Sequence, residues 1–255
     1  VLFALLLVAV TVVYALRDHL TRRSTHKNKW PVNSFKFTFW AIFVFWVGFG
    51  LMAQPSVTQV LTWLHSLLFK WEWDLFLSDP FLFLYWIFIF VTIFLFGRGL
   101  FCGWTCPFGS IQEGLHKIAG ATPLKRYQFL PPKWLHDRLK WIKYAVFFGL
   151  VVVSLFSMGL AEKLAEVEPF KTTFLVGITK RSWPFATFVL VILGLSIFIE
   201  RPYCKYVCPL GASIAMPTTF RWFGLRRKAD CNTCKACAKG CGALAIDADG
   251  RIDQR

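Results

Sequence analysis

The sequence is short of acidic residues and histidines. It has 14 Asp and Glu against 29 Lys and Arg, and only five His. No C-x-x-C-H sequence for haem attachment occurs, and the histidines are scattered over connections, so we expect ordinary polar surface there and no haem. His116 and His136 follow a cysteine motif and are the two to test. No paired acid and base or activated nucleophile is recognisable, so we do not expect a self-contained enzyme.

A starting Met and a recognisable signal peptide are also lacking. The first residue is Val1, with no short basic region before the apolar stretch and no small-residue cleavage site after it. At the other end, Arg255 closes a stretch that is still patterned like a folded domain. We therefore expect the sequence to be a piece of a longer chain.

Apolar residues, by contrast, are abundant, at 56% of the sequence, and aromatic residues make up 18%. They form long runs in which no polar face recurs at helical spacing, which is typical of membrane spans. The net charge of +15 lies in blocks between these runs. Basic blocks in that position contact lipid headgroups and fix topology, so we expect a lipid bilayer as partner and no nucleic acid.

Hydropathy predicts an all-α membrane protein. Residues 1–200 form a helical domain with about five transmembrane helices. Residues 201–255, which contain four cysteines at the spacing of bacterial ferredoxins, form a small ferredoxin-like α+β iron-sulfur module that is truncated. The predicted spans are Val1–Leu16, Phe35–Met52, Pro80–Phe96, Trp141–Gly159 and Trp183–Ile199.

The charge of the connections predicts the orientation. Connections 17–36, 97–143 and 200–255 carry net charges of +5, +6 and +5, whereas connections 53–79 and 160–182 carry −2 and +1. Lys and Arg are retained in the cytoplasm. This alternation predicts a multi-pass membrane protein, with the amino end outside and the carboxyl-terminal module in the cytoplasm.

The carboxyl-terminal cysteines have the spacing of a bacterial ferredoxin run, Cys231-x-x-Cys234-x-x-Cys237-x-x-x-Cys241. Three closely spaced thiolates bind one [4Fe-4S] cluster, and the fourth cysteine binds a second cluster. The remaining ligand for the first cluster would lie beyond Arg255. A zinc site is the alternative, although cysteine zinc sites usually separate two C-x-x-C pairs by a longer stretch. Gly242 stands where the usual pattern has Pro.

The other four cysteines form two C-x-x-x-C-P motifs, each directly after a predicted span. These motifs are Cys102 with Cys106 and Cys204 with Cys208. They constitute an internal repeat, and a helical bundle could bring the four thiolates together as ligands of a further iron-sulfur centre at the cytoplasmic membrane face. A thiol pair that handles copper, a zinc site, a redox disulfide and a helix-end pair without function remain alternatives.

The twin motifs followed by a ferredoxin run resemble the polyferredoxin membrane proteins of the NosR, NapH and CcoG type. Within this group, the tail from Cys231 to Gln254, including Gly242, is similar to the NosR/NirI branch. The resemblance implies an amino-terminal periplasmic FMN domain, which would precede Val1, then the membrane part and two cytoplasmic [4Fe-4S] clusters. It also implies nitrous oxide reductase and other proteins of nitrous oxide respiration as partners.

These expectations combine into a membrane electron-transfer protein that supports the periplasmic nitrous oxide reductase, by electron supply or by maintenance of its copper sites. The alternatives are a NapH-type quinol dehydrogenase subunit, with quinol as a partner, a copper-handling or oxidase assembly factor, and a redox-sensing membrane regulator. The direction of electron flow does not follow from the sequence.

Overall fold

A computed structural model describes residues 1–22, 32–69, 79–166, 168–223 and 244–246, together with residues 71, 73 and 77. The described chain is helical. The α-helices are α1 (Leu2–Arg22), α2 (Val32–Ile42), α3 (Val57–Leu68), α4 (Pro80–Phe96), α5 (Pro107–Gly120), α6 (Lys133–Leu139), α7 (Ile142–Phe156), α8 (Met158–Ala165), α9 (Trp183–Phe198), α10 (Pro202–Tyr206) and α11 (Pro209–Ala215). Wider π-helical turns cover Phe43–Gly50, Phe101–Thr105 and Lys171–Val176, and 3₁₀ turns cover Pro123–Tyr127 and Pro217–Phe220.

The prediction of five transmembrane helices is wrong. Among the described residues, only the helical stretch Lys133–Phe156 is long and apolar enough to cross a membrane. The other apolar helices, at Leu2–Leu16, Ser34–Gly50, Pro80–Phe96 and Trp183–Phe198, are shorter. Helix α4 has 17 residues, which at a rise of about 1.5 Å per residue gives about 25 Å, less than the roughly 30 Å of a hydrocarbon core.

Helix α4 is short because signals at both ends define it. The Asp79 carboxylate accepts hydrogen bonds from the N–H groups of Phe81 and Leu82, at 3.0 and 3.2 Å, and Pro80 occupies the first helical position. At the other end, Gly97 has φ +78°, a conformation that favours glycine. The predicted span Pro80–Phe96 has the same bounds as α4, so hydropathy identified the helix correctly and was wrong only in assigning a helix of this length to a membrane span.

The α+β form of the carboxyl-terminal module is not supported either. The part of the chain that the structure describes contains no β-strand, and Ile246 forms only an isolated bridge. The four cysteines of the ferredoxin run, Cys231, Cys234, Cys237 and Cys241, lie outside the described residues.

The helices pack so that the two C-x-x-x-C-P motifs support each other. Helix α5, which follows the first motif, packs on α9, which leads into the second. Helix α11, which follows the second motif, packs on α7. The large core beside them is built from aromatic and aliphatic side chains of several helices, with Tyr85 and Phe101 buried at its centre. Both motifs are therefore anchored by burial of apolar surface.

Candidate metal centre

The two cysteine motifs adopt the same backbone turn. The N–H of Cys106 donates to the carbonyl of Phe101 at 2.9 Å, and the N–H of Cys208 donates to the carbonyl of Tyr203 at 2.9 Å. In both motifs the bond joins the second cysteine to the residue before the first, five positions earlier. This wide turn ends the preceding segment and aims a new helix away from it, so the sequence repeat is also a structural repeat.

The second cysteine of each motif is the N-cap of the helix that follows. The Gly211 N–H donates to Cys208 Sγ at 3.2 Å. Cys106 makes no side-chain capping hydrogen bond, although the nearby Gly109 N–H opposes the rise in the pKa of its thiol. A proline fills the first helical position in both cases, where its missing N–H costs nothing. The amino-terminal ends of α5 and α11 therefore favour negative charge on these sulfurs.

All four thiols of the motifs line one cavity of about 950 Å³, and none is in a disulfide. Burial raises the pKa of each thiol, that of Cys204 to about 11. Without a bound cation the thiols therefore stay protonated, whereas metal binding displaces the proton and compensates the thiolate charge. The cysteines are Cys102, Cys106, Cys204 and Cys208.

Two buried glutamines direct polar groups at the sulfurs. Gln112 Nε2 donates to Cys204 Sγ at 3.3 Å, and its Oε1 accepts the Tyr203 N–H at 3.2 Å. Gln54 Nε2 lies 3.9 Å from Cys106 Sγ, while its Oε1 has no hydrogen-bond partner. Hydrogen bonds to ligating sulfurs are typical of iron-sulfur sites, where they tune the potential.

A buried ionic cluster ties the two motifs together. Arg201 adopts a left-handed conformation at φ +52° and donates both to the Cys102 carbonyl and to Glu113. Lys36 and Lys117 lie 2.9 and 3.1 Å from the same carboxylate. Burial alone raises the pKa of Glu113, but the neighbouring cations outweigh it and lower that pKa to about 2. Glu113 is therefore ionised at neutral pH.

A buried cation on the cavity wall can compensate an anionic occupant. Lys143 is only 4% exposed and lines the cavity, as does Arg201. The wall also carries carboxylates, among them Glu113, which pairs with Arg201. An iron-sulfur group held by four thiolates carries negative charge that Lys143 would compensate. The four-thiol donor set thus fits such a cluster.

A single metal ion fits less well. Within the described ranges, no group of three or more His, Cys, Asp or Glu side chains is arranged to hold one ion. A tetrahedral zinc site with bonds of about 2.3 Å needs its sulfurs roughly 3.8 Å apart. In a [4Fe-4S] cluster each thiolate binds a different iron, so wider spacing is accommodated. A cluster therefore tolerates thiol spacings at which one zinc ion could not bind all four sulfurs.

Sequence reasoning brought the four motif cysteines together, and the structure places them on one cavity. It missed Gln112 and Glu113, although two polar side chains just after Cys106 in a chain this apolar are a usable signal. It also placed His136 on the surface, whereas His136 is buried on the cavity wall with Nδ1 3.1 Å from the Tyr206 hydroxyl. Ligation by Cys231, Cys234, Cys237 and Cys241 stays a prediction.

Known proteins give independent information about these segments. A family described as a 4Fe-4S binding domain matches residues 78–126 and 182–228. Each match contains one C-x-x-x-C-P motif. "Regulatory protein NosR" of Pseudomonas aeruginosa is 41% identical over 249 residues, covering 97% of this chain and 34% of the relative. "Protein NirI" of Paracoccus denitrificans is 44% identical over 209 residues, covering 81% of this chain and 30% of the relative.

The chain is a homologue of NosR and NirI. A second NosR, from Stutzerimonas stutzeri, is 40% identical over 249 residues, which cover 97% of this chain and 33% of that protein. The chain thus spans about a third of the length of these NosR and NirI relatives. No solved structure matches it. The predicted resemblance to the NosR/NirI branch is confirmed, and so is iron-sulfur as the class of cofactor.

Proposed function

We propose that this chain is the electron-transfer part of a membrane protein of nitrous oxide respiration, with a [4Fe-4S] cluster held by Cys102, Cys106, Cys204 and Cys208. The observation that carries the proposal is a coincidence of two findings. The two segments matched by the 4Fe-4S binding domain contain the two motifs, and the four thiols of those motifs line one cavity. When bound, the cluster supplies one-electron transfer.

The residues around the cavity prepare it for that role. Gln112 fixes the Cys204 sulfur and the start of α10 at once. Arg201 holds the first motif through the Cys102 carbonyl and is itself held by Glu113. Contacts of this kind keep ligands in place between oxidation states and exclude water. They lower the cost of reorganisation when an electron arrives.

A second electron carrier belongs to the proposal. We take the ferredoxin run, with Cys231, Cys234, Cys237 and Cys241 as cluster ligands, to exchange electrons with the cluster at the cavity. In the sequence the run ends three residues before Leu244, which lines that cavity together with Ala245.

The membrane setting and the partners also belong to the proposal. Along the helical stretch Lys133–Phe156, Phe148, Val152 and Phe156 are more than half exposed, which suits contact with lipid better than a soluble surface. We place the protein in the bacterial inner membrane and take nitrous oxide reductase as its partner, from the relationship to NosR. Quinol and a preceding FMN domain are further expected components.

The test is iron and acid-labile sulfide quantitation with EPR on the full-length protein and on Cys102→Ser and Cys204→Ser. Each variant is expected to lose the iron, the sulfide and the EPR signal of one cluster and to keep those of the ferredoxin run. Ser213→Ala is the matched control, because that hydroxyl lies in α11 and bonds to the Leu210 carbonyl. Unchanged metal and spectra in both cysteine variants overturn the proposal, and copper without sulfide supports the copper-handling alternative.

A regulatory role is the second candidate, because the NosR relatives are named regulatory proteins. In that role, a change in the oxidation state of the cluster alters transcription and leaves reductase turnover unchanged. Measuring both quantities in cells that carry Cys102→Ser distinguishes the two functions. Loss of turnover at constant transcription favours electron transfer.

A further inference from the structure

Glu168 is a buried carboxylate on the wall of the same cavity. It is 4% exposed and lines the cavity with the four cysteines. Its Oε2 accepts a hydrogen bond from Ser56 Oγ at 2.7 Å, and its Oε1 accepts the Val57 N–H at 3.2 Å. A buried carboxylate held by hydrogen bonds rather than by a contacting cation is costly to keep ionised.

The surroundings of Glu168 balance its two protonation states. Burial raises its pKa, while the bonds from Ser56 and Val57 and the charge of Lys171 oppose the rise, and the result is a pKa of about 7. The amino-terminal end of α3 at Ser56 also favours the anion. Small electrostatic changes nearby are therefore enough to protonate or deprotonate this side chain.

Glu168 is electrostatically coupled to the second cysteine motif. Its charge raises the pKa of the Cys208 thiol and of the Tyr203 hydroxyl. The titratable and charged groups that face it are Lys171 on the π-helical turn, Tyr203 on α10 and Cys208 at the start of α11, and the α3 side contributes only neutral donors. An added negative charge at the cysteines therefore acts on Glu168 through a low-dielectric interior.

We propose that Glu168 takes up the proton that compensates the electron when the four-cysteine centre is reduced. This inference rests on the proposed function. One electron arrives from a one-electron donor, chemically a reduced ferredoxin-type cluster, and one proton from water binds a carboxylate oxygen of Glu168. Oxidation returns both, and no bond of the centre forms or breaks. Glu168 thereby acts on the potential without touching the centre.

The test is a redox titration of the four-cysteine centre by EPR, with dithionite as reductant, at a series of pH values. In the wild type the midpoint potential is expected to fall by about 59 mV for each tenfold decrease in proton concentration, over the range between the Glu168 pKa values of the oxidised and reduced states. Glu168→Gln keeps one oxygen acceptor, enough for Ser56 or Val57 but not for both, and does not titrate. Its potential is expected to be independent of pH and to lie above the wild-type value at alkaline pH.

Glu166→Gln is the matched control, since Glu166 lies two residues away and pairs with Arg181 at 3.0 Å on a half-exposed site. This variant is expected to keep the wild-type slope. A wild-type slope that survives Glu168→Gln overturns the inference alone. A wild type without the EPR signal of the four-cysteine centre overturns the proposed function and the inference with it.

Ser56→Ala provides a second variant in which the carboxylate remains. Because the Ser56 hydroxyl donates to Glu168, its loss raises the pKa of the carboxylate and shifts the pH-dependent range upward. An unchanged range in Ser56→Ala overturns the inference, and this measurement decides the matter if Glu168→Gln fails to assemble the centre.

Discussion

The two cysteine motifs share one closing hydrogen bond but have very different surroundings. Both are closed by the same hydrogen bond across five residues and both end in a cysteine N-cap. The first continues into a 14-residue helix that buries Gln112 and Glu113, whereas the second continues into a seven-residue helix that buries Ala212 and Ile214. The repeat therefore supplies ligands symmetrically, while the polar contacts that hold the ligands come mainly from the first copy.

The largest expected effect on stability comes from removing the negative charge of Glu113, which the first copy buries. Glu113→Gln leaves Arg201, Lys36 and Lys117 without their shared carboxylate in a buried site. We expect it to lower the free energy of unfolding by about 3–5 kcal/mol, measured by thermal unfolding in detergent. Asp137→Asn removes a carboxylate that pairs with Lys140 but is 44% exposed, and we expect its effect to be much smaller. Equal effects would show that Glu113 does not hold the motifs together.

The pH dependence of stability gives a second view of Glu113. Because the pKa of Glu113 falls from 4.5 to about 2 on folding, its stabilisation is complete above the unfolded pKa. It is lost as the pH falls from about 4.5 towards 2. Wild-type protein should therefore lose stability in this range relative to Glu113→Gln. Parallel curves for the two proteins would contradict the assignment.

A smaller loss of stability is expected at the position where the first motif is followed by a glutamine and the second by an isoleucine. Gln112 occupies the same place after Cys106 as Ile214 does after Cys208. Gln112→Ile removes the donor to Cys204 and leaves the buried Tyr203 N–H unsatisfied, at a cost of about 1–3 kcal/mol. It should also lower the midpoint potential, because the reduced centre loses a hydrogen bond. An unchanged potential would mean that Gln112 is only structural.

The smallest effect concerns the glycines of the two copies. A Cβ at Gly109 would lie 3.2 Å from the Cys102 carbonyl oxygen, whereas a Cβ at Gly211 would lie 3.8 Å from the equivalent oxygen of Cys204. We expect Gly211→Ala to stabilise the protein by about 0.4–1 kcal/mol and Gly109→Ala to destabilise it. Comparing the unfolding temperatures of the two variants tests whether the first motif is packed more closely around its glycine. A higher unfolding temperature for Gly109→Ala than for Gly211→Ala would refute this.

The comparison also explains what hydropathy could predict. All five predicted spans lie on helices, because long apolar runs must be helical whatever surrounds them. Their bounds lie close to those of the helices, and Pro80–Phe96 coincides with α4, but apolar runs of this length do not by themselves establish membrane spans. The charge count also assigned Glu168 and Cys208 to connections on opposite sides, yet the fold places both on one cavity.

The sequence by itself determined the local chemistry of the site. Cysteine spacing, the proline after each second cysteine and the glycine two residues later specify a wide turn and a capped helix through covalent geometry and short-range hydrogen bonds. Only the tertiary structure decided which distant side chains meet the sulfurs. Gln112 and Cys204 are 92 residues apart, and Glu168 and Ser56 are 112 apart. Such pairs form because helices bury their apolar faces against one another. The polar groups that are buried with these faces then need hydrogen-bond partners in the protein interior.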